Sequence, residues 1–93
     1  YSAFQRSDFE QRLRARGRSQ LMIAGVFAHI GCLITAADAF MREVQPFLVA
    51  DAVADFSRAH HDRALVQVAA CSGVVLSTAQ TLAVLHDSTA AAR

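Results

Sequence analysis

Three short apolar runs, "QLMIAG" (20–25), "PFLVA" (46–50) and "VVLS" (74–77), alternate with segments of helical hydrophobic spacing. No other feature of the chain restricts its fold as tightly. Runs of four to six residues without polar alternation are too short for a stable helix and suit strands buried on both faces. Strands separated by amphipathic helices form a parallel sheet covered on each side. The expectation is an α/β fold, three layers α/β/α around a central parallel sheet, with element order α-β-α-β-α-β-α.

The helical segments carry their own boundary signals. "SDFE" at Ser7 reads as a capping box, the serine capping a helix while Glu10 reaches back to the serine amide. That helix places Phe9 and Leu13 on one face and stops at Gly17. From His29 to about Glu43, residues Ile30, Leu33, Ile34, Ala37, Phe40, Met41 and Val44 share one helical face. Pro46 ends that helix, and "DAVADF" after the second strand reads as a loop. Ser57 is placed to cap a third helix with His61, Leu65, Val68 and Ala69 facing inward, closed by Gly73. "TAQTLAVLHD" gives a fourth helix, and residues 88–93 read as a frayed tail.

Composition removes several function classes. A net charge of +1 gives no field to attract nucleic acid or anionic lipid. "RLRARGR" is basic, but Asp8–Arg12 and Glu10–Arg14 stand at i,i+4, the spacing of a solvated ladder. The longest apolar run, Leu21 to Ala28, is far short of the roughly 20 residues that span a bilayer. "YSAFQRSDFE" has no secretory pattern. Cys32 and Cys71 match no metal or redox spacing and read as buried thiols in a reducing cytoplasm. No metal or other cofactor is expected.

Ligands of such sheets lie beyond the carboxyl ends of the strands, here Gly25–Phe27, Asp51 and Ser77–Thr78. Gly31 falls in the first turn of the following helix, where unpaired N–H groups and the positive dipole end suit a carboxylate or oxyanion. The plainer explanation, close packing of helix on strand, stands beside that one. Cys32 is a nucleophile by type, yet no base stands at a partner spacing, so packing is favoured. His29 can donate to a substrate or act as a solvated cap. His60 and His61 point about 100° apart on a helix, which argues against a shared metal. Asp51 and Asp55 offer a general acid at a strand end, against the commoner role of aspartate in turns and caps.

The phrases "YSAF", "GVFAHIGC", "DAFMREVQPF" and "VADAVADFSR", in this order and spacing, closely resemble the isochorismatases, over Tyr1 to about Ser77. The resemblance implies a Rossmann-like α/β domain of which residues 1–93 are the C-terminal portion, partnered by the N-terminal half of the same domain and assembled as a homodimer. It also implies hydrolysis of the enol-pyruvyl vinyl ether of isochorismate, or of its 2-amino-2-deoxy analogue, to pyruvate. In amidase relatives the nucleophilic cysteine occupies the place of Gly31. Gly31 would instead offer its amide to substrate, and Val26, Phe27 and Ala28 would line the pocket beside it, with a cis peptide between Val26 and Phe27. Relatives usually carry tyrosine at the place of Phe27. The family's catalytic aspartic acid and lysine map before Tyr1, and this chain has no lysine. The competing expectation is a non-catalytic fragment or pseudoenzyme that serves binding or dimerisation.

Overall fold

Among the described residues, seven helices and strands succeed one another in the order the alternation predicts. The computed structural model describes residues 1–91: α1 (Phe9–Ala15), β1 (Gln20–Val26), a π turn (Ala28–Cys32), α2 (Leu33–Met41), β2 (Gln45–Ala54), α3 (Arg58–Cys71), β3 (Val74–Leu76) and α4 (Thr78–Ala91). The strands form one parallel sheet in the order β1-β2-β3. The tail expected over 88–93 overlaps the end of α4, and residues 92–93 lie outside the described residues.

The main core joins Ile23 of β1, Leu48 and Val53 of β2, Ala28 and Cys32 of the π turn, Ala36 of α2, and Ala64 and Val68 of α3. A second cluster packs Phe4 on Ala39 and Val44. Along β1 only Ile23 is buried, while Met22 and Ala24 on either side of it are exposed. The strand expected to be covered on both faces is therefore covered on one.

The helix after the π turn buries a different face from the one its large apolar residues mark. Ala28, Cys32, Ala36 and Ala39, at i, i+4, i+8 and i+11, face the core. Ile34, Phe40 and Met41, expected inside, are 40%, 56% and 73% exposed. The buried residues are small, which lets the helix approach the sheet closely.

β2 runs past Asp51, through residues expected to form a loop. Its register against β1 jumps from Ile23↔Leu48 to Gly25↔Val53, so the strand bulges between the two pairings. Gly25 stands at that jump with φ +119°, a conformation that essentially requires glycine. Val53 is buried behind it.

Two caps differ from expectation. Ser7 Oγ donates to the Ala3 carbonyl, and Glu10 turns to Arg14 and Arg42 instead of back to the serine amide. The reciprocal box is at the start of α4: the Gln80 N–H donates to Ser77 Oγ (3.0 Å), and the Ser77 N–H donates to Gln80 Oε1 (2.9 Å). Ser57 caps α3 as its sequence indicates, accepting from the His60 N–H. On α3, Ala64 and Val68 are buried while Ala69 is exposed. Cys71, read as a buried thiol, is also exposed.

Candidate active site

The carboxyl end of β1 leads directly into the π turn, and the two together build one wall of an open recess. About 410 Å³ in volume, it is lined by Tyr1, Val26, Phe27, Ile30, Gly31 and Phe56. The Val26–Phe27 peptide is cis. Ala28, expected beside these residues, is fully buried in the core and does not line the recess.

The Ile30 and Cys32 N–H groups both donate to the Phe27 carbonyl, at 3.1 and 3.3 Å. The second of these is the turn's first i→i−5 bond. Gly31 thus belongs to the opening turn, where N–H groups precede the regular ladder and carry the positive end of the helix dipole.

Neither its packing nor its backbone explains the glycine at position 31. A Cβ built there would lie 3.6 Å from the Tyr1 carbonyl oxygen and 3.9 Å from that of Val26, which is ordinary contact. Its φ is not among the positive ones. Gly73 shows the contrasting case: a Cβ there would stand 2.5 Å from the Pro46 carbonyl oxygen, so packing excludes any side chain. The reading of Gly31 as a helix–strand packing glycine therefore fails, and the space above its backbone opens into the recess.

Asp55, at the end of β2, holds the turn in place. Its Oδ2 accepts from the His29 N–H (2.7 Å) and contacts His29 Nδ1 (2.6 Å), and its Oδ1 accepts from the Phe56 N–H (2.7 Å). The side chain has no exposed surface. Burial pulls its pKa upward, but the bonds from the two main-chain N–H groups and the imidazole outweigh it, leaving the carboxyl below its ordinary range. It is an acceptor, not a proton donor. Phe56, set by this contact, stacks on Phe27 with centroids 4.2 Å apart and planes at 19°. The aromatic wall is thus a pair of rings.

The remaining candidates lie away from the reacting position or are chemically quiet. Asp51 accepts from the Thr78 N–H (2.6 Å) and hydroxyl (2.7 Å) and so ties α4 to β2. Those two bonds lower its pKa. Burial, then the charge of Asp55, raises the Cys32 thiol's pKa, the opposite of nucleophile activation. His61 contacts the Ala50 carbonyl through Nε2 at 2.9 Å. His60 sits over His29, ring centroids 4.4 Å apart, and approaches Ser57 Oγ. Among the described residues no group of three or more potential ligands could hold a metal. Sequence reasoning missed Tyr1, Ile30 and Phe56; the only available signal for Phe56 was its place just past a strand end.

A parallel α/β sheet with an open glycine turn beyond its first strand is an arrangement that many families share, and likeness to known proteins places the chain more narrowly. The isochorismatase domain matches residues 1–80. The chain is 58% identical over 82 residues to enterobactin synthase component B of Escherichia coli (strain K12), covering 88% of this chain and 29% of that protein. It is 54% identical over 82 residues to phenazine biosynthesis protein PhzD1 of Pseudomonas aeruginosa, covering 88% and 40%. The isochorismatase-like hydrolase from Alkaliphilus metalliredigens superposes with a TM-score of 0.86 at 20% identity over 90% of this chain and 46% of that one, a likeness of fold. The chain belongs to the isochorismatase family, and it spans well under half the length of the curated relatives it matches.

Proposed function

We propose that the protein carrying this chain hydrolyses the enol-pyruvyl vinyl ether of isochorismate or its 2-amino-2-deoxy analogue, in siderophore or phenazine-type biosynthesis. The single observation that carries this reading is Gly31. Its backbone lies open at the strand ends in a position that neither packing nor conformation reserves for glycine. Membership of the isochorismatase family gives that opening its chemistry.

In the proposed reaction an acid protonates the methylene carbon of the enol-pyruvyl group. Water adds to the resulting oxocarbenium-like carbon, and the hemiketal collapses to pyruvate and the ring alcohol. This is general acid catalysis with electrostatic support. The Gly31 amide binds substrate at the start of the turn, and Val26 and Phe27, with Phe56 stacked on it, wall the recess. The acid comes from outside these residues: Asp55 is an enclosed acceptor and Asp51 is bonded to Thr78. The lysine of the family pattern is likewise supplied from elsewhere, since the chain has none. A homodimer in the cytoplasm is the proposed setting. Two free cysteines suit a reducing compartment, and no helix among the described residues is long and apolar enough to cross a membrane.

Pyruvate release from isochorismate by the full-length protein tests the reading. Turnover supports it, whereas binding without pyruvate formation would favour a pseudoenzyme.

A further inference from the structure

Asp55 joins two parts of the recess that are distant in sequence, the π turn at His29 and the end of β2 at Phe56. One carboxylate, enclosed at the end of β2, receives the N–H of His29 in the π turn and the N–H of Phe56 in the loop beyond the strand. The imidazole of His29 meets the same Oδ2. The turn that presents Gly31 and the residue that carries the second wall ring are therefore fixed to one side chain. The register jump in β2 between Leu48 and Val53 is what brings that side chain to the turn.

We infer that Asp55 is a positioning residue for the vinyl-ether reaction: it sets the Gly31 amide and the Phe27–Phe56 wall in register with each other, without touching substrate. The inference rests on the reading of Gly31 given above. The part-buried His29 N–H is costly to leave without an acceptor, so the turn loosens when the carboxylate is lost. Asparagine is no replacement. Its single oxygen can serve one of the two main-chain donors, and its NH₂ then faces the other. Misplacement of a binding group by about 1 Å lowers turnover roughly 10²-fold.

A double-mutant cycle in the full-length protein separates positioning from general support of the fold. Pyruvate release from isochorismate is measured for Gly31→Ala, Asp55→Ala and the double variant. Each single change is expected to lower kcat/KM, Asp55→Ala by roughly 10²-fold. The double variant is expected to be no worse than the weaker single one, because the second change removes a group already out of place. Losses that multiply would overturn the positioning role. Should Asp55→Ala fail to fold, Asp55→Asn, of nearly the same shape, carries the same cycle with the same two outcomes. If Gly31→Ala alone leaves turnover unchanged, the Gly31 reading fails and the role of Asp55 falls with it. Multiplying losses overturn the Asp55 role alone.

Discussion

Adding one methyl group at position 31 should make the protein more stable and less active. The gain in stability comes from the space and the backbone. A Cβ on Gly31 meets nothing closer than the Tyr1 carbonyl oxygen at 3.6 Å, and the residue lies in a helical turn without positive φ. Replacing glycine by alanine where both conditions hold reduces the conformational freedom of the unfolded chain, contributing about 0.5–1 kcal/mol. In a domain of about 200 residues that shift raises Tm by about 1–4 °C. The loss of activity comes from the same methyl, which projects toward the recess over the amide proposed to bind substrate. The alanine keeps the N–H, but blocking access to one preorganised donor is expected to lower kcat by up to roughly 10²–10³-fold. The assay pairs thermal unfolding of full-length Gly31→Ala with initial rates of pyruvate release. Lower stability would show that the backbone does need glycine there. Unchanged turnover would show that the space above it is not used.

The contrasting substitution, Gly73→Ala, forces a Cβ to 2.5 Å from the Pro46 carbonyl oxygen and should destabilise by about 1–3 kcal/mol, read as a lower urea midpoint with unchanged m. Leu48→Ala, at a fully buried position in the middle strand, should cost about 2–5 kcal/mol by the same measurement; a loss under about 1 kcal/mol would mean the core collapses around it. Arg42 bonds both Glu10 and Asp38, and these bonds, with further ones from Arg14 and Ser2, hold both carboxyls below their ordinary range. Depressed folded-state values stabilise above the unfolded pKa, so this contribution should be constant above about pH 5 and vanish as pH falls through the folded values. Arg42→Met should flatten that acid limb of the urea midpoint, and parallel pH curves would refute the link. A peptide of these residues alone exposes 6178 Å², against about 5,200 Å² for a compact chain of 10.0 kDa. It should bind a hydrophobic dye and unfold without a cooperative transition, and a sharp calorimetric peak would contradict this.

The fold was legible because each strand is a short apolar run and each helix has a helical pattern beside it. The failures come from features that local side-chain patterning does not encode. On α2 the small residues Ala36 and Ala39 take the core face, while the large apolar Ile34, Phe40 and Met41 are exposed. The bulge in β2 carried weak strand formers, Asp51 and Ala52, into the sheet and so hid the placement of Asp55. At the recess, the family resemblance and the strand end point to Gly31, Val26 and Phe27, which line it. Phe56 depends on a contact between residues 29 apart in sequence, Phe27 and Phe56, which no local pattern announces. The sequence signals a capping box at Ser7, but Glu10 pairs with Arg14 and Arg42 instead, and the reciprocal box lies at Ser77.

The most direct test of the proposed chemistry is to run isochorismate turnover by the full-length protein in D₂O and read the pyruvate by mass. Protonation of the methylene carbon predicts one solvent deuterium in each pyruvate methyl group. A companion reaction in H₂¹⁸O should leave the ring alcohol with its original oxygen. Pyruvate free of solvent deuterium, or a ring product that has acquired solvent oxygen, would contradict the account.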